Sequence, residues 1–281
     1  MAEPTNRRLQ EQVGQVAVVT GGGRGFGRKI AQSLASAGMA VAVVARTADQ
    51  LSETVALIEA AGGRAIAVPA DVTDRHAIER VVQEVENRIG PIDVLVNNAA
   101  AWSVIGPIWL IDADSWWRDV EINLRGPFLC ARAVLHGMVA RGRGRIINVS
   151  SNAAEMPGPY YSNYSSSKAA LLKFTDDLAK ETRMHGISVF AVHPGALHTT
   201  ITDYLSESPE GQEWMPWFRS EMEEIEPCEH DLRRAIIFLV SGQADRLTGC
   251  YVNLEDDDVT EMVSRVEEIE KNDLYKLRVR K

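Results

Sequence analysis

The sequence of 281 residues predicts an α/β fold, a doubly wound parallel sheet of seven strands with helices on both faces. Seven short runs are apolar throughout rather than alternating, as strands buried on both faces are. Helix-length stretches with apolar residues at three- and four-residue spacing separate these runs. Parallel neighbours require such crossover connections, and no linker or repeat interrupts the alternation. We therefore predict one domain over residues 1–281.

The predicted strands are, in chain order, Val16–Thr20, Ala40–Ala45, Ala65–Pro69, Ile92–Val96, Arg145–Val149, Ile187–Val192 and Cys250–Leu254. Helical spacing is clearest in Ile30–Leu34–Ala37, Ile78–Val81–Val82–Val85 and Leu171–Leu172–Leu178. Two segments depart from this alternation. Residues 198–229 form a long insertion that we predict to be a substrate lid. Residues 256–281 form a C-terminal extension that begins amphipathic and ends basic, and its pattern is typical of a surface helix or an oligomer contact.

The composition excludes several classes of protein. With 45% hydrophobic and 25% charged residues the chain is neither disordered nor fibrous. A net charge of −9 argues against nucleic-acid and anionic-membrane partners. No apolar run approaches the roughly 20 residues that span a bilayer, and residues 1–15 contain no signal-peptide core. Cys130, Cys228 and Cys250 fit neither a disulfide framework nor a zinc site. We expect a cytoplasmic protein with reduced thiols and no metal.

A glycine-rich turn joins the first strand to the first helix. A strand–turn–helix of this kind brings backbone N–H groups and the positive end of a helix to one point, where a pyrophosphate can bind. Gly21 allows the tight turn, Gly25 leaves room for the phosphates, and Gly27 lets helix and strand pack closely. The turn therefore predicts a dinucleotide site. Its candidate cofactor-binding residues are Thr20, Gly21, Gly23, Arg24, Gly25, Phe26 and Gly27.

Further motifs follow the later strands in a fixed order. They are Asp71-Val72, Asn97-Asn98-Ala99-Ala100, Asn123, Ser150-Ser151, Tyr164-x-x-x-Lys168, Pro194-Gly195 and Thr199. Together with the turn, which reads T-G-x-x-x-G-x-G, they resemble the short-chain dehydrogenase/reductase family over nearly the whole chain. Ala100 stands where that family carries glycine, which is a mild departure. The resemblance implies a Rossmann-like fold, and we expect the strand order 3-2-1-4-5-6-7.

The resemblance also implies contacts and partners. The implied cofactor contacts outside the glycine turn are Asp71, Val72, Asn98, Tyr164, Lys168, Pro194, Gly195, Leu197 and Thr199. Leu197 and Thr199 resemble the residues that hold the nicotinamide carboxamide. Family members pair through the helices that here carry Asn123 and Tyr164, so a homodimer or homotetramer is implied.

The end of the second strand bears on the choice of cofactor. Folds that prefer NAD place a carboxylate there to bind the ribose diol, and Ala45 supplies none. Arg46 offers a guanidinium for a 2′-phosphate instead, and Arg24 lies where similar NADPH-dependent proteins carry a base. We therefore predict NADP, with NAD as the alternative.

Tyr164 and Lys168 are spaced i, i+4 and share one face of a helix. A free phenol has a pKa of about 10, and a nearby ammonium favours the phenolate and lowers that pKa. Ser151 follows a buried strand, where its hydroxyl can hold a carbonyl oxygen; Ser150 competes, but the spacing of thirteen residues to Tyr164 favours Ser151. By resemblance Asn123 holds a water that links Lys168 to solvent. The predicted catalytic residues are Asn123, Ser151, Tyr164 and Lys168.

These features predict hydride exchange between NADP(H) and a ketone or secondary alcohol. The alternatives are an NAD-dependent alcohol dehydrogenase, a 3-oxoacyl-thioester reductase, and a dinucleotide-binding regulator without chemistry. The segment from Asp203 to Asp231 contains ten acidic residues and one basic residue, Arg219. A lid with this negative charge would repel anionic carrier-bound substrates. All six tryptophans lie just past Asn98 or in the insertion. We therefore predict a bulky, largely uncharged substrate. We also expect His193 and His198 to be candidate pocket contacts and residues 201–226 to be mobile without ligand.

Overall fold

The computed structural model describes residues 12–224 and 229–279, and within them the sheet has the predicted order. Seven parallel strands lie in the order β3-β2-β1-β4-β5-β6-β7. The strands are β1 Val16–Thr20, β2 Ala40–Ala45, β3 Arg64–Pro69, β4 Ile92–Asn97, β5 Gly144–Val149, β6 Ile187–His193 and β7 Tyr251–Asn253. The predicted fold class is therefore confirmed, with strand ends that differ by no more than one residue from the prediction.

Helices cover both faces of this sheet. They are α1 Gly25–Ser36, α2 Ala48–Ala60, α3 Arg75–Arg88, α4 Ala113–Val120, α5 Gly126–Arg141, α6 Ser162–Thr182, α7 Thr200–Glu207, α8 Pro209–Trp214, α9 Phe218–Glu224, α10 Glu229–Val240, α11 Val259–Ser264 and α12 Val266–Asn272. Alternate residues of β1 belong to different cores. Ala17 and Val19 join one hydrophobic cluster, and Val16 and Val18 join the other. Because successive strand residues point to opposite faces, these clusters are the two sides of one doubly wound sheet.

Three hydrogen bonds join the ends of β1 and β4, where the strand order reverses. The Thr20 hydroxyl accepts hydrogen bonds from the N–H groups of Asn98 and Ala99, at 3.0 and 3.1 Å. The Asn98 amide donates to the Thr20 carbonyl at 2.9 Å. Ligands of open α/β sheets bind at such a switch point, so these bonds fix the shape of the expected cofactor site.

The insertion after β6 is helical rather than a loop. Helices α7, α8 and α9 fill it, and Thr199 begins α7 through a capping box with Thr202. Leu205 and Met215 are buried in a small cluster with aromatic side chains. The predicted mobility of residues 201–226 stays a prediction, and residues 225 and 226 lie outside the described part.

The C-terminal extension is not confined to the surface as its pattern predicts, and an oligomer contact through it stays a prediction. Val259, Met262, Val266 and Ile269 are buried in the same cluster as the strands. Beyond them, Arg278 pairs with the buried carboxylate of Asp176 at 2.8 Å. The amphipathic pattern is present, but the apolar face of the extension packs on the chain's own core.

The structure also bears on the predictions about the cysteines and about membrane-spanning segments. Cys130 and Cys250 are buried free thiols, and burial raises the pKa of Cys130 to about 12. Cys228 lies outside the described residues. In the described ranges no helix has both the length and the apolar character that crossing a membrane requires.

Candidate active site

A cavity of about 620 Å³ opens at the carboxyl ends of the strands. It collects most of the residues that the sequence predicted for the site. Those that line it are Gly21, Gly23, Arg24, Gly25, Phe26, Gly27, Arg46, Asp71, Val72, Asn98, Ser151, Tyr164, Lys168, Pro194, Gly195, Leu197 and Thr199. Parallel strands present their carboxyl ends at one edge of the sheet, which is why motifs far apart in sequence meet here.

Among the predicted catalytic and cofactor-binding residues, Thr20 and Asn123 do not line the cavity. The Thr20 hydroxyl is occupied in joining β1 to β4, so the prediction that it binds the cofactor is wrong for its side chain. Asn123 is fully buried in a π-helical turn, Glu121–Arg125, between α4 and α5. Its amide bonds to both backbone groups of Ala101 at 2.8 Å and to the Ser167 hydroxyl at 3.0 Å. The Asn123 side chain therefore positions a loop, and its predicted role in holding a water is not supported by these contacts.

The glycine turn fits a pyrophosphate. Helix α1 begins at Gly25 with no side-chain cap and no acid in its first turn, so its N–H groups are available to an anion. A Cβ at Gly27 would lie 2.2 Å from the Gly21 carbonyl oxygen, and Gly25 has a φ of +51°. Only glycine allows this approach and this backbone conformation. The cradle that a dinucleotide needs is therefore present.

Arg28 holds this turn in place, and sequence reasoning missed it. Its guanidinium donates to the Gly23 carbonyl and forms two bonds with the Glu53 carboxylate at 2.7 and 2.9 Å. A bidentate pair of this kind fixes the geometry of the guanidinium. Because Arg28 is committed to Glu53 and Gly23, it is not the base that a 2′-phosphate would meet.

Arg24 and Arg46 remain for that phosphate. Both are exposed on the cavity wall, and within the described ranges neither forms an ion pair. The acids that line the cavity in the described ranges are Asp71, Glu221 and Glu255, and none follows β2. An NAD-type carboxylate is therefore missing at the end of β2, as the sequence predicted.

Asp71 is held by a second pair of contacts. One of its carboxylate oxygens accepts from Thr73, and the other accepts from Arg118 at 2.7 Å. Burial raises the pKa of Asp71, but the bonds from Thr73 and Arg118 outweigh it and lower the pKa overall. Asp71 is thus a fixed, ionised acceptor at the point where the family resemblance implies an adenine contact.

Tyr164, Lys168 and Ser151 meet at the base of the cavity. The Lys168 ammonium lies 5.5 Å from the centre of the Tyr164 ring and donates to the Val149 carbonyl at 2.8 Å. The neighbouring Ser151 hydroxyl acts to lower the pKa of the Tyr164 phenol, although burial outweighs this effect. Ser150 bonds the Lys168 carbonyl instead, so the structure favours Ser151 over Ser150 as the partner of Tyr164.

Burial has the largest effect on the ionisation of Tyr164 and Lys168. It raises the pKa of Tyr164 to about 12 and lowers the pKa of Lys168 to about 7. Both charged forms would lose their hydration in the cavity wall, which disfavours them. The prediction that Lys168 lowers the phenol pKa is therefore not supported, because the pKa of Tyr164 lies above its usual value.

An aromatic wall lies on the substrate side of Tyr164. The insertion of residues 198–229 contributes Met215, Trp217, Phe218 and Met222 to the cavity, which Trp102 and Tyr161 also line. The other tryptophans do not line it. Trp109 and Trp117 are exposed, Trp116 donates to Ser162 of α6, and Trp214 packs on Tyr160. Trp102 and Trp217 are thus the tryptophans that contribute to this aromatic lining.

The lid acids mostly face solvent. Among those whose side chains are described, Asp203, Glu207, Glu210, Glu213 and Glu223 are exposed away from the cavity lining. Glu221 lines the cavity, and its charge together with burial raises the pKa of Tyr161. The side chains of Glu224, Glu226, Glu229 and Asp231 lie outside the described part.

Of the two histidines predicted as candidate pocket contacts, His193 lines the cavity and His198 does not. His193 is buried on the cavity wall, with Nε2 3.3 Å from the Glu255 carboxylate. This contact lowers the pKa of Glu255. His198 is exposed and does not line the cavity, so its predicted pocket contact is wrong. Glu255 was missed because it follows β7 without any motif, and only the pairing of β7 with β6 brings it to His193.

Comparisons with known proteins agree with this geometry. The sequence model of the family "short chain dehydrogenase" matches residues 15–210. A short chain dehydrogenase of Pseudocercospora fijiensis is 41% identical over 197 residues, which are 69% of this chain and 63% of that protein, so the match spans under two thirds of the relative. A 3-oxoacyl-[acyl-carrier-protein] reductase of Synechocystis sp. is 39% identical over 69% of this chain and 79% of the relative.

A solved structure extends the likeness to the fold. A gluconate 5-dehydrogenase of Burkholderia cenocepacia, in complex with NADP and tartrate, superposes with a TM-score of 0.76 at 29% identity, covering 86% of this chain and 93% of the other. The family match spans the glycine turn, Ser151, Tyr164 and Lys168, the residues that meet in the cavity. The chain therefore belongs to the short-chain dehydrogenase/reductase family and is an oxidoreductase that uses a nicotinamide dinucleotide, NAD(P).

Proposed function

We propose that this protein transfers hydride between NADP(H) and a bulky, largely uncharged ketone or secondary alcohol. The observation that carries the proposal is one continuous cavity. At one end it holds the uncapped N-terminus of α1 with Arg24 and Arg46, and at the other it holds Tyr164 beside an aromatic wall. The first end suits a phosphorylated dinucleotide, and the second suits an apolar carbonyl compound.

The residues of the chain have distinct roles in this reaction. The bound dinucleotide supplies the hydride that reaches the carbonyl carbon. Tyr164 donates its hydroxyl proton to the carbonyl oxygen, and the Ser151 hydroxyl hydrogen-bonds the same oxygen. Lys168 stabilises the phenolate that remains, because an ammonium close to a phenolate favours its charge. In the direction of alcohol oxidation the phenolate takes the proton back.

The lining of the substrate end supports the apolar substrate class. Trp102, Tyr161 and Phe218 form a ring-rich surface, and Met215 and Met222 fill between them. Such side chains bury large apolar areas at modest entropic cost. The negative charge of the insertion is a weaker argument against anionic substrates than the sequence indicated. Among the described acids of the insertion, Glu221 alone lines the cavity.

A 3-oxoacyl thioester is the competing substrate, and the Synechocystis relative carries that name. We expect neutral bicyclic ketones such as 2-tetralone to give a higher kcat/KM with NADPH than acetoacetyl-coenzyme A. The measurement is initial-rate kinetics of both compounds in one buffer at low and at physiological salt. A kcat/KM clearly higher for the thioester would overturn the substrate class while leaving the reaction type in place. Inactivity with every carbonyl compound of a broad panel would count against the function itself.

We also propose a homodimer or homotetramer formed through α4, α5 and α6. Trp117 on α4 and Phe128 on α5 are exposed, at 61% and 47%, and Phe128 packs edge-on against Phe174 of α6. Large apolar side chains that stay exposed on adjoining helices are typical of subunit contacts. Light scattering of the purified protein should give a mass of two or four chains, and a monomeric mass at micromolar concentration would contradict the proposal.

A further inference from the structure

Trp102 covers one face of the proton donor. Its indole lies nearly parallel to the Tyr164 phenol, with ring centroids 4.4 Å apart and an angle of 12° between the planes. Offset parallel rings at this distance attract each other beyond the area they bury. Trp102 also lines the cavity, so the same side chain touches the catalytic phenol and the space for the substrate.

Trp102 also connects Tyr164 to the lid. The ring of Phe218, on α9, lies edge-on to Trp102 at 6.4 Å, and Tyr161 lies at 5.2 Å. The indole Nε1 is buried with no hydrogen-bond partner among the described residues. Ring packing, rather than a hydrogen bond from the indole, therefore holds the Trp102 side chain.

The backbone on each side of Trp102 is fixed by a buried polar side chain. Asn123 bonds both backbone groups of Ala101 at 2.8 Å. Asp119 accepts from the N–H and the hydroxyl of Ser103, both at 2.8 Å. These two anchors also bond helix α6, since Asn123 donates to Ser167 and Asp119 accepts from Asn163. The loop that carries Trp102 is thus tied to the helix that carries Tyr164.

We propose that Trp102 is a positioning residue for Tyr164, which orients the phenol, keeps water from its face and connects it to the lid. This inference rests on the proposed function, because it assigns the orientation of the proton donor in that reaction. The clamp by Asn123 and Asp119 gives it a structural basis that does not depend on the substrate. A phenol that rotates freely on its helix would meet the carbonyl oxygen in fewer productive geometries.

Removing the indole has two separable consequences. The phenol loses the ring that restrains it, so turnover falls. The phenol also gains water, and since burial raises its pKa, hydration lowers that pKa. Alcohol oxidation needs the phenolate, so the acid limb of its pH profile moves to lower pH. The other groups that line this part of the cavity are Lys168, Ser151, Tyr161, Glu221, His193 and Glu255, and none of them is changed by the substitution.

The test compares Trp102→Phe, which keeps a ring, with Trp102→Leu and Trp102→Met, which do not. We expect kcat of the ring-free variants to fall by about 2- to 10-fold, the range to which the energy of one aromatic pair converts. Their NADP⁺-dependent oxidation profile should shift to lower pH, whereas Trp102→Phe should stay close to the parent in both respects. Oxidation of 2-tetralol between pH 6 and 10.5 provides both readouts.

Trp109→Leu is the matched control, because Trp109 lies in the same connection between β4 and α4 but is 80% exposed and does not line the cavity. Thermal unfolding and NADPH titration establish that each variant folds and binds cofactor. Two ring-free variants are made, so that the test can proceed with the other if one of them does not fold. Parental kcat and pH profile in either folded ring-free variant would overturn the inference. If Tyr164→Phe is inactive in that case, the proposed function stands without Trp102, whereas full activity of Tyr164→Phe would remove both.

Discussion

Tyr164→Phe should lower kcat for ketone reduction by at least ~100-fold, the usual scale for loss of a general acid. The substitution removes the hydroxyl that would donate the proton and retains the ring on which Trp102 packs. The glycine turn and the N-terminus of α1 are not in contact with that hydroxyl. Affinity for NADPH should therefore change little, which fluorescence titration can measure alongside the kinetics.

Tyr161→Phe is the control for this experiment. Tyr161 lies three residues earlier, lines the same cavity and also packs against Trp102, but it has no lysine four residues on. We expect it to retain most of the parental turnover. Substantial activity of Tyr164→Phe, or an equal loss in the two variants, would contradict the assignment of Tyr164 as the proton donor.

Arg46→Ala should weaken NADPH binding by about 10- to 150-fold, the equivalent of the ~1.5–3 kcal/mol that a hydrogen bond to a charged group contributes. NADH binding should hardly change, because only NADPH carries the 2′-phosphate that the guanidinium can pair with. The structure strengthens this expectation. Arg46 has no ion-pair partner within the described ranges, whereas Arg28 nearby is occupied by Glu53.

The control for Arg46 is Arg75→Ala, a change at an exposed arginine of α3 that pairs with Glu79 and does not line the cavity. It removes the same charge from the protein without touching the expected phosphate position. Dissociation constants for both cofactors with both variants, measured at constant salt, separate local pairing from a general effect of charge. A parent that prefers NADH, or an equal loss for the two cofactors in Arg46→Ala, would favour the NAD-dependent alternative.

The features that could be predicted from the sequence are those that depend on near neighbours along the chain. The apolar runs gave the strands to within a residue because a strand buried on both faces needs apolar side chains at every position. The glycines within residues 21–27 and the spacing of Tyr164 and Lys168 also depend only on residues that are close together in the sequence. Most predicted site residues line the cavity since their motifs follow strands that end at one edge.

Other features depended on contacts between residues far apart in sequence. Thr20 and Asn123 carry polar side chains in the expected motifs, but each is occupied by a backbone partner in another segment. A sequence pattern identifies a polar group and cannot say which of several acceptors it meets. The apolar face of an amphipathic helix is likewise visible in the sequence, but the surface that it packs against is not. For this reason the sequence pattern alone predicts a surface position for the C-terminal extension.

By itself, then, the sequence determined the doubly wound fold, the glycine turn and the Ser151, Tyr164 and Lys168 set, because spacing along strands and helices fixes them. The tertiary structure decided which tryptophans face the substrate, that most of the described lid acids point to solvent and that Arg28 is already paired. It also decided that burial raises the pKa of Tyr164 and lowers the pKa of Lys168. The physical reason is common to all of these: direction, partner and hydration of a side chain are set by what packs against it from other elements.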